Sequence, residues 1–272
     1  MIRASLIISV YKNTTALKAV LDSLSFQTMK DFEIIISEDG NSAEMKSFVE
    51  SYQFGQKWTH LTQEDKGWQK NKALNKAILA SESNWLIFID GDCVLHPRFM
   101  EMHVRYASEN KILAGKRIKL NESDSRILLQ NTDKLPEFRF RILKRLIIPE
   151  GTAFNEEGIF ISPDGILGFI PKMRKLNHLK GCNMSFSKKA ILSINGFDEN
   201  YILPAVGEDA DLSWRFEMAG YRHFSLRNLA IQYHLHHKEN WQDQSQNIRY
   251  MEECRKSGKY ICENGINKNF SK

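Results

Sequence analysis

Three clusters of carboxylates and imidazoles in this chain have the types and spacing that chemistry needs. The first is Asp90-Gly91-Asp92, which follows at once on the apolar run Trp85 to Ile89. Two carboxylates one residue apart at a strand end can bind a hard divalent cation and a hydroxyl-bearing ligand together. Read structurally, Asp-Gly is ordinary turn chemistry. The second cluster is Gly207-Glu208-Asp209-Ala210-Asp211, ahead of Leu212 and Phe216 at helical spacing. Acids at a helix start are common caps. Three of them exceed what one cap requires, and one could serve as a general base. The third is Tyr233-His234-Leu235-His236-His237, after the apolar Leu229 to Ile231. Imidazoles gathered at a strand end suit a metal already held by Asp90 and Asp92. Solvated loop histidines are the alternative.

These residues need elements to place them. Ser5 to Val10 reads as a buried strand, and Asn13 or Thr14 caps a helix carrying Leu17, Val20, Leu21 and Leu24. Phe32 to Ser37 is a second strand, ending in Glu38-Asp39-Gly40. Helices are predicted over Ala43 to Tyr52 and Gly67 to Ala80, with strands at Trp58 to Leu61 and Trp85 to Ile89. The alternation predicts an α/β fold, a doubly wound sheet in one domain. Ligands bind such sheets beyond the carboxyl ends of strands, where Asp39, Asp90 and Asp92 fall. From Asn121 to Lys180 no clean period is visible. Within it, Phe138 to Ile148 mixes Arg139, Arg141, Lys144 and Arg145 with Phe, Ile and Leu. It reads as a surface helix with its apolar side on the core, or alternatively as a membrane-surface contact. The polar tail from Asn264 is expected to fray.

Composition narrows the classes. The chain has 272 residues, 42% hydrophobic and 26% charged, which excludes disorder for its bulk. A net charge of +5 suits an anionic substrate or membrane surface and is too weak to indicate nucleic acid, which is not expected as a partner. The 4 Cys form no C-x-x-C pair, so a zinc ribbon is not expected. No run approaches the roughly 20 apolar residues of a membrane span. The chain therefore reads as soluble and cytoplasmic, with reduced thiols. Ser9-Val10-Tyr11-Lys12-Asn13 lacks a Gly-rich phosphate loop, which weighs against a nucleotidyltransferase.

The order of motifs resembles family 2 glycosyltransferases of the GT-A fold, with a galactosyltransferase-like C-terminal segment. The matching elements are Ser5 to Tyr11, Ile36-Ser37-Glu38-Asp39-Gly40, Ala73 to Ile78, Asp90-Gly91-Asp92, Gly181-x-Asn183-Met184-Ser185, Gly196-Phe197-Asp198-Glu199 and Glu208-Asp209. The resemblance implies an inverting, metal-dependent hexosyl- or N-acetylhexosaminyltransferase. Its donor would be a nucleotide sugar, a UDP-sugar first, and its cation Mn²⁺ or Mg²⁺. The acceptor would be a saccharide or lipid-linked saccharide of cell-surface polysaccharide or lipopolysaccharide synthesis, at the inner face of the membrane. By resemblance, Val10, Tyr11, Asp39 and Gly91 line the nucleotide-sugar pocket, Asp90 binds the ribose, and Asp92 holds the metal with His234 and His237, or His236 as alternate. Asp209 is the base, with Glu208 beside it. Gly181, Asn183 and Asp198 hold sugar and acceptor. The helix normally reads Ala-Arg-Asn; here Leu74 replaces Arg, so Lys72 or Lys76 takes its role beside Asn75. A nucleotide-sugar half over 1–120 would precede an acceptor half over 121–263 and a tail over 264–272. A noncatalytic nucleotide-sugar-binding protein is the other alternative.

Overall fold

Ala4–Val10 (β1) and Phe32–Glu38 (β2) are almost wholly buried on both faces. Such strands need cover on two sides, and the chain supplies it by alternating them with helices. In chain order follow Thr14–Leu24 (α1, between β1 and β2), Ala43–Ser51 (α2), Trp58–Leu61 (β3), Lys70–Ala80 (α3), Trp85–Asp90 (β4), Cys93–Leu95 (β5), Phe99–Arg105 (α4), Lys111–Ala114 (β6) and Ile118–Lys119 (β7). The second half adds Glu122–Gln130 (α5), Phe138–Ile147 (α6), Phe169–Met173 (α7), Met184–Ser187 (β8), Lys188–Ser193 (α8), Asp209–Met218 (α9), Arg222–Ser225 (β9), Gln232–His234 (β10) and Ser245–Ser257 (α10). This computed structural model describes residues 2–204, 208–238 and 243–268. Gly207 of the second acidic cluster and residues 269–272 of the expected tail lie outside the described residues.

Seven of these strands form one sheet in the order β3-β2-β1-β4-β8-β6-β9. β1 pairs in parallel with β2 on one side and β4 on the other. The chain thus reverses its direction of sheet growth beside β1, and a crevice opens there at the carboxyl edge. β8 runs antiparallel to both β4 and β6. Leu6, Ile8, Ile34 and Ile36 enter one core, and Ile7, Ile35, Leu86 and Phe88 enter the other, as a period of two requires. A small sheet, β5-β10-β7, lies past the end of β4 and carries His234.

The observed helices correct several expectations. Asn13 caps α1 by accepting from the Ala16 amide, leaving no such role for Thr14. The helix expected from Gly67 starts at Lys70, because Gly67 holds a positive φ of 80° that no right-handed helix accommodates, and the Gln69 amide donates to Asp39. Residues 121–180, which showed no period, hold α5, α6, α7 and a 3-10 turn at Asn155–Gly158. Their organiser is polar: Asp124 is fully buried and accepts from Arg145 and Arg141. In α6 only Phe138 and Ile142 of the apolar residues are buried, and Phe140, Leu143, Leu146 and Ile147 are exposed. The described part of the tail is docked. Asn195 holds Asn267 through two side-chain hydrogen bonds, and Ile266 packs on the second core.

Candidate active site at the carboxyl edge of the sheet

β1, β2 and β4 end side by side, and residues at or just past their ends form the floor of a 670 Å³ cavity. Val10, Tyr11, Asp39, Asp90, Gly91 and Asp92 all line it. Gly91 is required by space. A Cβ there would lie 2.7 Å from Val10 Cγ1 and 3.1 Å from the Ser9 carbonyl oxygen. The Asp39 carboxylate accepts from Gln63 Nε2 and from the Gln69 amide, both at 2.8 Å. Its neighbour Glu38 is turned away, bound to the Ser42 amide and His60.

Asp92 faces two imidazoles. Its Oδ2 lies 3.4 Å from His234 Nε2 and 3.2 Å from His237 Nε2, and the two nitrogens are 3.4 Å apart. Ligand shells with bonds of about 2.1 Å have edges of roughly 3.0–3.4 Å, so the three atoms match the spacing of a divalent cation's ligands. Carboxylate with imidazole is a donor set for Mn²⁺ or Zn²⁺ rather than Ca²⁺. Burial works to raise the Asp92 carboxyl, but the hydrogen bond from His237 and the charge of both imidazoles hold it below its ordinary range. His236 is not in this group; its amide donates to Ser125 and its side chain is exposed.

A second cavity, of 610 Å³, adjoins the first and shares Trp68, Lys70 and Asp90 with it. Gly181, Glu208 and Asp209 line this one. Asp209 opens α9, and its Oδ2 lies 3.4 Å from the Gly181 amide. A Cβ on Gly181 would sit 2.4 Å from Glu208 Oε1, so the glycine makes room for that carboxylate. That oxygen is buried and has no hydrogen-bond partner among the described residues.

Lys70 joins the cavities. Its Nζ lies 2.8 Å from Asp90 Oδ1 and 2.9 Å from Glu208 Oε2. Burial opposes its charge, but the two carboxylates overcome this and raise the ammonium above its ordinary range. Sequence reasoning missed this residue and chose Lys72, which is exposed and lines neither cavity. Helical spacing held the signal. Lys70, Leu74 and Ile78 are four apart, and the latter two are buried, so Lys70 shares their inward face.

Other expected site residues build the frame instead. Asn75 spends its amide on Phe197 N and O and on Glu199. Asp198 accepts from Tyr250 and the Asn200 amide, away from both cavities. Asn183 is fully buried, donating to the Lys116 and Ala230 carbonyls and accepting from His103. Cys93 and Cys182 lie beneath Asp90, with their sulfurs and its carboxylate within 4.8 Å of one another.

Comparison with known proteins agrees with this layout. The chain is 27% identical over 284 residues to an uncharacterized glycosyltransferase, YfnE, of Bacillus subtilis, covering 92% of this chain and 69% of that protein. It is 32% identical over 106 residues to EpsH of the same organism, a putative glycosyltransferase, covering 39% of this chain and 30% of that one. Among solved structures it resembles a mannosyltransferase from Pyrobaculum calidifontis in complex with GDP-Man and Mn²⁺, at TM-score 0.55 and 13% identity, over 88% of this chain and 58% of that chain. S. aureus TarS 1–349 in complex with UDP-GlcNAc gives TM-score 0.54 and 16% identity, over 88% and 60%. The chain thus spans less than a third of EpsH and about 60% of each solved chain. These likenesses establish the GT-A fold. The model of the N-terminal domain of galactosyltransferase matches residues 171–238, which carry Gly181, Asp209 and the histidines. That of glycosyl transferase family 2 matches residues 5–162, more than half of the chain and all of the strand ends that line the first cavity, and the chain belongs to that family.

Proposed function

We propose that this chain is an inverting transferase that moves a sugar from a nucleoside-diphosphate donor, a UDP-sugar first, to a hydroxyl of a saccharide or lipid-linked saccharide. The observation that carries this reading is the pair of adjoining cavities sharing Lys70 and Asp90. One has the strand ends and the Asp92–His234–His237 group; the other has Asp209. A transfer between two substrates needs two such sites with one seam. In this reading residues 1–120 supply most of the donor side, residues 121–263 supply Asp209 on the acceptor side, and each half lends side chains to the other's cavity, as His234 and His237 do for Asp92. Reaction at the inner face of a membrane, in cell-surface polysaccharide or lipopolysaccharide synthesis, accords with four unpaired cysteines and with the exposed apolar and basic face of α6.

Asp92, His234 and His237 would hold the cation, Mn²⁺ or Mg²⁺, of which the two imidazoles favour Mn²⁺. Bound there, it supplies Lewis-acid neutralisation of charge on the departing diphosphate. Val10, Tyr11 and Asp39 would seat the nucleoside, and Asp90 the ribose. Asp209 would take the proton of the acceptor hydroxyl as the new bond forms, from the face opposite the leaving group. A carboxylate base suffices, because that hydroxyl becomes acidic only late in the reaction. Lys70 would keep Asp90 and Glu208 in place across the seam.

Calorimetry with UDP and with GDP, with Mn²⁺ and then with chelator, tests the donor assignment. Binding should require the cation and weaken at least tenfold in Asp92→Asn. Equal affinity in chelator would overturn the metal role, and absence of binding to either nucleotide would overturn the function.

A further inference from the structure

The cavity that holds Asp209 is richer in cations than its carboxylates can neutralise. Lys70, Lys116, Arg117 and Lys180 line it, four cations against the three carboxylates of Asp90, Glu208 and Asp209. Asp90 and Glu208 are engaged by Lys70, and Asp90 also faces Arg117 at 3.8 Å. Neither Lys116 nor Lys180 has a carboxylate within ion-pair distance among the described residues; Lys116 instead lies over the Phe154 ring. Both lysines are half-buried and both are fastened by the same residue. The Asn183 amide donates to the Lys180 carbonyl at 2.7 Å, and Asn183 Nδ2 donates to the Lys116 carbonyl at 2.9 Å. With Asn183 itself fully buried, the two lysines stand on a built support. Their field is felt nearby: burial, then Lys180, with Lys116 adding, holds the His178 imidazole below its ordinary range, against Asp209.

The donor does not account for this charge. The Asp92–His234–His237 group lies outside the lining of this cavity, and Lys116 and Lys180 lie outside that of the other. Aromatic faces complete the second cavity. Trp68 and Phe154 line it, and Phe154 holds a left-handed backbone at φ 62°, uncommon for an aromatic residue. Apolar rings beside ammonium groups fit a sugar ring that carries a negative substituent.

We propose that the acceptor is an anionic saccharide, whose phosphate or carboxylate is bound by Lys116 and Lys180 while its hydroxyl meets Asp209. The inference rests on the transferase reading for the name acceptor, but the pocket's preference for anionic sugars can be measured by itself. An array of neutral glycans, the same glycans bearing uronate carboxylates, and the same bearing phosphate monoesters is probed with the full chain in the presence of Mn²⁺ and UDP. Retention of charged over neutral forms by at least tenfold is expected, and the uronate and phosphate arms tell which anion is preferred. Lys116→Gln and Lys180→Gln should each weaken retention roughly tenfold, the loss of one charge-assisted hydrogen bond. Lys116→Arg and Lys180→Arg should retain it, and melting temperatures check that each variant is folded. Equal retention of neutral and charged glycans, no retention of charged ones, or Gln variants that bind as the parent does would each overturn the proposal. Release of nucleoside diphosphate from nucleotide sugars is measured on the parent alongside. Donor turnover without anionic-glycan binding sinks the inference alone. Anionic-glycan binding without donor turnover sinks the transferase reading and leaves the pocket assignment standing.

Discussion

At the scale of single residues, Asp209 is the sharpest test. It sits at the first position of α9 with its carboxylate in the second cavity, so it can act either as a base or as a charge at a helix start. Asp209→Asn separates the roles, because the amide keeps the shape and most hydrogen bonding but cannot take a proton. Sugar transfer should fall by roughly 10²–10⁴-fold. Stability should fall by about 0.5 kcal/mol, the loss of one charge near a helix start. Transfer rate and thermal melting on the same preparation decide; a variant that transfers at close to the parent rate ends the base assignment. Glu208→Gln acts through Lys70 rather than through the proton, so its effect should show as weaker substrate binding and a milder loss of rate.

At the scale of elements, what could be read in the sequence was the half built on apolar period. β1, β2 and β4 are short, mainly apolar runs centred on isoleucines, and their carboxyl ends announce Asp39, Asp90 and Asp92 directly. Residues 121–180 hid their helices because charge, not apolar spacing, joins them. In sequence Arg145 looks like the other cations of α6, yet it is 4% exposed and clamped on Asp124 and Glu150. Resemblance puts Asn75, Asn183 and Asp198 at the site; their hydrogen bonds go to loops and helices distant in the chain, which no local pattern shows. Lys70 was legible by spacing and passed over. The Asp124 clamp makes its own prediction. Arg145→Ala leaves a fully buried carboxylate with the half-exposed Arg141 and a long hydrogen bond from the Thr152 hydroxyl, so unfolding free energy should drop by about 3 kcal/mol, in the range for breaking a buried pair. Denaturant melts of Arg145→Ala and Arg141→Ala side by side check this, with Arg141→Ala the milder.

A second element-scale prediction concerns the joint of α4 and β8. His103 is fully buried between Ser185 Oγ at 2.8 Å and Asn183 Oδ1 at 3.0 Å. Asn183 Nδ2 is already donating, so its Oδ1 accepts, which puts the proton on His103 Nε2 and leaves Nδ1 to accept from Ser185. Burial lowers this imidazole to about 3, with the Asn183 hydrogen bond opposing. The unfolded chain binds a proton there below about 6.5, and the folded chain does not until about 3. Stability from His103 is therefore full above pH 6.5 and declines as pH falls through that window. Melting temperature should drop between pH 7 and pH 5 in the parent. His103→Gln should be less stable at pH 7 but show a shallower drop over the same interval; parallel slopes would refute the assignment.

At the scale of the whole molecule, charge and apolar surface meet on α6. No helix among the described residues is long and apolar enough to cross a membrane. Yet α6 exposes Phe140, Leu143, Leu146 and Ile147, the last at 84% exposure. Arg139 and Lys144 share the exposed surface, while Arg145 is withdrawn inward. An apolar face with basic residues at its margin is the chemistry that seats a helix in an anionic lipid surface. It would also bring the two cavities to a lipid-linked acceptor without a spanning segment. The expected outcome is binding to vesicles of phosphatidylcholine with phosphatidylglycerol, little binding to phosphatidylcholine alone, and loss at high salt. Because Arg141 and Arg145 hold Asp124, the charge variant should be Arg139→Gln with Lys144→Gln, which spares the fold. Phe140→Ser with Ile147→Ser removes two exposed apolar groups worth roughly 1.5–3 kcal/mol each when buried, so partitioning should fall by more than tenfold. Vesicle sedimentation of both variants separates the contributions: salt-sensitive binding lost only in the charge variant marks surface attraction, and loss in both marks insertion. A parent chain that ignores anionic vesicles would leave the apolar face of α6 to another protein.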